Sequence, residues 1–199
     1  MERATEKTRR LVQMAILIAI MLILAFTPLG YLKVGAIEIT FMTIPVVVGA
    51  IILGPVSGAI LGGVFGLTSF IQCFGLSGFG AALLSINPVF TFLVCMAPRI
   101  LMGYLAGVIF KALHRNGKTK WMSFAAASLS GAVLNTIFFV GLMMLLFGRS
   151  DYILSLRGGL GLWSFLVGFV GVNGLVEAIV AFVLGTAISK ALMQFSLRQ

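Results

Sequence analysis

The sequence predicts an all-α integral membrane protein, folded as a single domain over residues 1–199. Hydrophobic residues make up 60% of the chain and charged residues only 10%, and the mean hydropathy is +1.16. A soluble domain carries about 25% charged residues. Residues 11–32 and 39–98 contain no charged side chain, and about 20 apolar residues suffice to cross a bilayer as a helix. A soluble catalytic domain is therefore excluded.

Six membrane-spanning helices are expected. Their predicted bounds are about 11–32, 40–53, 56–72, 88–113, 121–147 and 162–192. Residues 39–98 are too long for one span, and Gly54-Pro55 is the strongest turn signal within them. The second and third spans are short, so they lie inside the protein or thin the membrane locally. The glycine-rich residues 74–87 and residues 148–161 are expected to be outer loops, and hydropathy leaves five or seven spans open.

The positive charges predict the orientation in the membrane. The formal net charge is +9, but the basic residues cluster in the N-terminal tail, in one central loop and at the C-terminal end, which argues against a nucleic-acid surface. Such clusters mark cytoplasmic segments and contact anionic lipid. An even number of spans places both termini on one side. We therefore expect a multi-pass protein of a prokaryotic cell membrane with both termini in the cytoplasm.

Arg99 is the most unusual residue of the predicted spans. It lies within an apolar segment between Glu38 and Lys111, the nearest charges along the chain, and Pro88 and Pro98 precede it. An arginine at the centre of a membrane helix costs about 3 kcal/mol on insertion scales. We interpret Arg99 as lining a cavity or anchoring a buried ion pair. The alternative is an arginine that extends to the membrane interface.

Glu177 is the only acidic residue deep inside a predicted span. Asn173 lies four residues earlier and therefore on the same helix face. Ionisable groups within the membrane usually serve function, which favours a ligand or proton site; half of a structural ion pair with Arg99 is the alternative. Further polar residues could line the same cavity or join helices: Asn135, Thr68, Gln72 and Asn87.

No catalytic pattern and no metal- or cofactor-binding pattern is present in the sequence. His114, the only histidine, lies in a basic loop and is interpreted as solvated, and Cys73 and Cys95 are interpreted as packing residues. A membrane enzyme built on Glu177 would need a second acid or metal ligand. The sequence does not show the two inverted halves that many secondary transporters have. A self-sufficient, proton-coupled carrier using Glu177 is nevertheless kept as an alternative to a partner-dependent transporter.

Small residues recur four positions apart in the predicted helices, an arrangement that lets helices approach closely in lipid. Most such pairs are expected to pack within the protein. Ala15 and Ala19 differ because they lie on the first helix, from which they could face a partner protein.

The order of these segments resembles the substrate-binding S component of an energy-coupling factor (ECF) transporter. The matching stretches cover most of the chain: QMAILIA (13–19), LGYLKVGAIEITFMTIP (29–45), GAIILGP (49–55), AILGGVFGLTS (59–69), APRILMG (97–103) and NGLVE (173–177). The resemblance implies a six-helix protein that binds a vitamin from outside. It also implies a transmembrane coupling protein and two ATPase subunits as partners, with Ala15 and Ala19 matching the family's coupling contact.

Among the subfamilies, TPLGY (27–31), the Ile-Pro to GAIILGP run and VFGLTS (64–69) are most similar to the pantothenate type. Thr43 stands where that type is expected to carry a histidine. Riboflavin, folate and a pyrimidine precursor are therefore alternative substrates. For pantothenate, Arg99 would pair with the carboxylate, while Asn135, Asn173 and Glu177 would bind hydroxyl and amide groups.

Overall fold

The computed structural model of the protein describes residues 2–27, 30–34, 37–114 and 120–196. Its helices are α1 (Glu2–Ala25), α2 (Thr43–Leu53), α3 (Pro55–Gln72), α4 (Gly78–Ile86), α5 (Pro88–His114), α6 (Lys120–Phe147), α7 (Asp151–Arg157), α8 (Leu162–Val180) and α9 (Thr186–Ser196). A π-helical turn, Ala181–Gly185, joins α8 to α9. Two short strands, β1 (Tyr31–Val34) and β2 (Ile37–Thr40), precede α2.

The all-α membrane fold is confirmed. Within the described ranges, five helices are long and apolar enough to cross a membrane, and α2 is a shorter apolar helix. Its 11 residues reach only about 16 Å, which is less than the bilayer core. Residues 43–51 are all buried, so α2 lies inside the bundle, in contact with α1, α3, α5 and α6.

The first predicted span is too long at its outer end. The helix ends at Ala25, not at residue 32, and the chain then forms the antiparallel hairpin β1–β2. A proline at position 28 cannot supply the N–H that would continue the helical ladder. The backbone N–H of Phe41 donates to the carbonyl oxygen of Gly30 at 3.0 Å. This hydrogen bond ties the end of the hairpin to its beginning.

The two segments expected to be outer loops each contain a short helix. Ser77 caps α4, its hydroxyl oxygen accepting from the N–H of Gly80 at 3.3 Å. Ser150 caps α7 in the same way. Both helices cover an apolar cluster formed with α5 and α6 by Leu83, Val94, Met143, Phe147 and Ile153. The N-cap serines were the sequence signals for these helices. For α4, the glycine-rich composition of residues 74–87 favoured a loop instead.

Helices α3 and α5 pack closely through glycine. A side chain at Gly58 would meet the carbonyl oxygen of Gly103, and one at Gly62 would meet that of Arg99. At Gly66, an added Cβ would lie 2.7 Å from the carbonyl oxygen of Cys95. Small residues at spacing four thus bring the two backbones together, as expected for membrane helices. This contact fixes the position of Arg99 along the axis of α3.

The interpretation of His114 as a solvated loop residue is wrong. His114 is the last residue of α5, and its ring stacks on Phe110 with centroids 4.9 Å apart. Its Nδ1 lies 3.1 Å from the Ser123 hydroxyl oxygen. Helix α5 ends at His114, one residue beyond the predicted bound of 113. Its last turn, from Phe110 to His114, still packs against α6.

Candidate ligand-binding site

The site is organised by a proline within α5. Pro98 has no N–H, so the helical hydrogen bond from position 98 to the carbonyl of Val94 cannot form. The next side chain takes over: the Arg99 guanidinium donates from Nη1 to the Val94 oxygen at 2.7 Å. A carbonyl left open within the bilayer is costly, and a charged donor makes a stronger bond than a neutral one.

Arg99 is buried, with 7% of its surface exposed. Its guanidinium carbon lies 5.2 Å from the ring centroid of Phe65 on α3 and 4.5 Å from that of Phe139 on α6. Such cation–π contacts stabilise a buried positive charge by about 2 kcal/mol. The Nε atom is buried and has no hydrogen-bond acceptor in the described parts of the chain. The positive charge is thus held firmly but not fully satisfied.

Glu177 is buried to the same degree, with 7% of its surface exposed. Its Oε1 accepts a hydrogen bond of 2.8 Å from the backbone N–H of Thr40, the last residue of β2. The Thr40 hydroxyl in turn accepts from the N–H of Met42 at 3.2 Å. The intramembrane carboxyl therefore fastens the hairpin β1–β2 to α8.

Arg99 and Glu177 do not form a direct ion pair in the structure as described. The interpretation of these two residues as halves of one salt bridge is therefore not supported. Each of the two buried groups has its own partners: the Val94 carbonyl and two aromatic rings hold Arg99, and the N–H of Thr40 holds Glu177.

Asn135 lies on α6, one helical turn before Phe139, and hence on the face that contacts Arg99. It is buried, with 5% exposed, and its Oδ1 has no hydrogen-bond partner among the described residues. An unsatisfied buried amide oxygen costs about 1–3 kcal/mol. Asn173 lies one turn before Glu177 on α8, but its side chain is outside the described part of the structure.

Three further residues expected at the site have hydrogen-bond partners within the protein. The Thr68 hydroxyl donates to the carbonyl of Phe65 at 2.9 Å. The Gln72 amide donates to the carbonyl of Ala25 at 2.6 Å and so joins the end of α3 to the end of α1. The Asn87 side-chain oxygen accepts from the N–H of Phe90 at 3.1 Å and caps α5.

Sequence reasoning missed the groups that hold the two charges. Arg99 contacts Val94, Phe65 and Phe139, and Glu177 accepts a hydrogen bond from the N–H of Thr40. One signal was present in the sequence: an arginine directly after a proline within an apolar helix can donate to the carbonyl that the proline leaves open. The aromatic partners come from other helices, and their pairing with Arg99 requires the packed bundle.

The comparison with known families identifies a membrane transport component rather than an enzyme. A family model described as "ECF transporter, substrate-specific component" matches residues 9–189, and the chain belongs to this family. Members of the family bind a small-molecule vitamin and work with an energy-coupling module. The predicted family is thereby confirmed, as is the expectation that the protein is not an enzyme.

Two relatives are similar to this chain over at least 90% of its length. The chain is 30% identical over 202 residues to the "Pantothenate transporter PanT" of Leuconostoc mesenteroides, covering 98% of this chain and 97% of the relative. It is 31% identical over 191 residues to the "Pantothenic acid transporter PanT" of Lactococcus lactis subsp. cremoris, covering 90% and 91% of the two chains.

Proposed function

We propose that the protein captures pantothenate at the outer face of a prokaryotic cell membrane and delivers it to the cytoplasm through an ATP-driven ECF module. The single observation that carries the proposal is the buried and incompletely paired charge of Arg99. Its charge is buried, no acidic side chain in the described ranges pairs with it directly, and its Nε lacks an acceptor. An anionic ligand would supply both the missing charge and the missing acceptor.

Pantothenate carries a carboxylate, an amide and two hydroxyl groups. In the proposed complex the carboxylate binds Arg99 through charge-assisted hydrogen bonds. The hydroxyl and amide groups bind Asn135 and Glu177, with Asn173 on the same face of α8. Thr68, Gln72 and Asn87 complete the proposed set. Because each of these three already has a hydrogen-bond partner within the protein, we expect them to contribute less to ligand binding than Arg99 does.

The hairpin gives the proposed site an outer boundary. Glu177 accepts from the last residue of β2, so a ligand that contacts Glu177 lies beneath the hairpin. Helices α4 and α7, over the Leu83–Met143–Phe147 cluster, are proposed as further outer walls. An enclosed site removes water from the ion pair and strengthens it, since a charge pair interacts more strongly where water is excluded.

The proposed partners are a transmembrane coupling protein and two ATPase subunits. Ala15 and Ala19 lie on α1 and are exposed in this chain. Ile16 and Ile23 beside them are 53% and 62% exposed. A partner helix could approach closely at the two alanines, with flanking apolar side chains to contact.

Binding and transport can be tested separately. The purified chain alone should be stabilised against thermal unfolding by micromolar pantothenate, because a ligand that binds only the folded state raises its stability. Riboflavin, folate and pyrimidine precursors form the comparison panel. Stabilisation by one of these and not by pantothenate would replace the substrate and keep the binding function. Stabilisation by none would contradict the function itself.

Uptake distinguishes a partner-dependent component from a self-sufficient carrier. Cells that lack pantothenate uptake should acquire it only when the chain is expressed with an ECF module whose ATPases are active. Uptake by the chain alone, abolished by a proton uncoupler, would instead favour the carrier in which Glu177 is the proton site.

A further inference from the structure

Three hydroxyl groups lie buried between α6 and the last helix of the chain. They belong to Ser128 of α6 and to Thr186 and Ser189 of α9, which are 0%, 5% and 0% exposed. None of the three oxygens has a hydrogen-bond partner in the described part of the chain. The ligand site proposed above uses none of these residues, so their burial within a membrane bundle requires another explanation.

Other hydroxyl groups in the helices of this protein are satisfied by their own backbone. Each donates to a carbonyl oxygen three or four residues earlier; examples are Ser57, Thr68, Ser85, Thr91 and Ser130. Such a bond is open to any serine or threonine within a helix. The hydroxyls of Ser128, Thr186 and Ser189 do not form it, although all three residues are more deeply buried than Ser130. They are therefore available to a partner outside their own helices.

Helix geometry brings the three hydroxyls together at Gly185, the last residue of the π-helical turn. A Cβ built on Gly185 would lie 2.9 Å from the Ser128 hydroxyl oxygen, so this oxygen lies directly against the glycine. Ser189 comes one turn after Gly185 and on the same face. Because helical side chains lean toward the N-terminus of their helix, the Ser189 hydroxyl lies over Gly185 as well. Thr186, three residues before Ser189, flanks the same point.

An apolar layer separates this cluster of hydroxyls from the ligand site. Ser128 and Asn135 lie two turns apart on one face of α6, about 10 Å along its axis. Gly131 lies between them, and a Cβ at Gly131 would overlap the side chain of Val47 on α2. Val47 is itself buried, with 1% exposed. The cluster is therefore a second polar site rather than an extension of the first.

The chemistry of the cluster suits water. An internal water molecule typically makes about three hydrogen bonds to buried polar groups that lack protein partners, and a hydroxyl can both donate to it and accept from it. A cation is disfavoured, because α2, α6, the π turn and α9 contain no acidic residue and a buried charge without a counter-charge is costly. Glu177, the acidic residue of α8, lies two turns before Gly185 and accepts from Thr40.

We propose that Ser128, Thr186 and Ser189 bind an internal water molecule that joins α6 to the last helix at the π turn. Glycine at position 185 leaves the space for it, since a side chain there would meet Ser128. A water that bridges two protein groups is nearly as favourable in enthalpy as a direct hydrogen bond. The water thus supplies hydrogen bonds across the junction that neither helix supplies by itself.

A crystal structure of the purified full-length wild-type chain tests the site directly and does not depend on the folding of any variant. Density for a water molecule within about 3.2 Å of at least two of the three hydroxyl oxygens is expected. A direct hydrogen bond between Ser128 and Ser189 without a water would overturn the proposal. Bonds from all three hydroxyls to carbonyl oxygens of their own helices would overturn it as well.

Thermal unfolding tests whether the hydroxyls share one partner. Ser128→Ala and Ser189→Ala should each lower the melting temperature by about 2–4 °C, and the double variant should lower it by less than the sum of the two. Ser130→Ala is the matched control, because its hydroxyl bonds to Ala127 and its effect should add to that of Ser189→Ala. Unchanged or raised melting temperatures for the single variants, or a double variant equal to the sum, would contradict a shared water.

The identity of the salt separates a bound water from a bound ion. The wild-type chain should unfold at the same temperature in sodium, potassium and choline chloride at equal concentration. Stabilisation by one alkali-metal ion that Ser189→Ala removes would assign the site to that ion and overturn the proposal of a water site.

Discussion

The Arg99 guanidinium donates a hydrogen bond of 2.7 Å to the carbonyl oxygen of Val94, five residues earlier on the same helix. Pro98, which lies between them, leaves that oxygen without its usual backbone donor. The proline and the arginine therefore act together: one opens the helical ladder and the other closes it with a charged side chain. Arg99 has a structural role as well as its proposed role toward a ligand, and experiments on it must separate the two.

Replacement of Arg99 is expected to weaken pantothenate binding strongly. Arg99→Ala removes the buried positive charge, and loss of one partner of a buried charged pair costs about 2–5 kcal/mol of affinity. Arg99→Lys keeps the charge but not the planar guanidinium, so it should lose less affinity for pantothenate than Arg99→Ala does. Isothermal titration of the purified chain measures both. Arg149→Ala, at an exposed position between α6 and α7, is the matched control and should bind as the wild type does.

The stability of the ligand-free chain separates the two roles of Arg99. Arg99→Ala leaves the Val94 oxygen unsatisfied, which should lower stability by about 1–3 kcal/mol. If the variant loses this stability but binds pantothenate with unchanged affinity, Arg99 serves only the helix, and the proposed ligand contact is wrong.

Replacement of Glu177 should loosen the hairpin. Glu177→Ala leaves the N–H of Thr40 without its acceptor, at a cost of about 1–3 kcal/mol. Glu177→Gln keeps a side-chain oxygen that can accept from Thr40, so it should retain most of the stability. Limited proteolysis within residues 31–40, together with thermal unfolding, measures the difference. Glu6→Ala, at an exposed position of α1, is the control. Equal proteolysis of the Ala and Gln variants would contradict a fastening role for Glu177.

Adjacent glycines of α3 are expected to differ sharply. A Cβ at Gly62 would overlap the carbonyl oxygen of Arg99, which is backbone and cannot move aside. At Gly63 the added Cβ would lie 3.8 Å from the Ile100 side chain, an ordinary contact. Gly62→Ala should therefore destabilise the chain by about 1–3 kcal/mol and disturb ligand binding, and Gly63→Ala should do neither. Equal melting temperatures for the two variants would contradict the close packing of α3 on α5.

The alanine pair on α1 should matter for transport but not for binding. Ala15→Trp and Ala19→Trp place a large side chain on an exposed face, where it bars close approach of a partner helix. Uptake should be lost while the purified chain still binds pantothenate. Ala112→Trp, at an exposed position near the end of α5, is the control and should transport normally. If Ala15→Trp and Ala19→Trp lose ligand affinity, the pair serves packing within this chain.

The membrane orientation can be tested by cysteine labelling in a background with Cys73 and Cys95 replaced by alanine. A cysteine introduced at Asn116, within the basic segment, should react only after the cells are made permeable, because positive segments remain in the cytoplasm. A cysteine at position 151, at the start of α7, should react in intact cells. The opposite pattern would reverse the proposed topology.

The sequence by itself determined the class of the protein. Long uncharged segments and few charges require a helical membrane fold, since only helices and closed barrels satisfy the backbone in lipid. The cost of an isolated charge in lipid also singled out Arg99 and Glu177. Motif order along the chain led to the family, which the match over residues 9–189 confirmed. These conclusions depend on composition and on local spacing, both of which can be read without knowing how the helices pack.

Only the tertiary structure decided which groups hold those charges. Phe65 and Phe139 reach Arg99 from two other helices, and Thr40 reaches Glu177 across 137 residues of sequence. The contact between the sulfur atoms of Cys73 and Cys95, 4.0 Å apart, likewise joins two different helices. Burial of α2 follows the same rule, because its neighbours, not its own 11 residues, shield it. Contacts between distant segments depend on packing geometry, which hydropathy and local spacing do not encode.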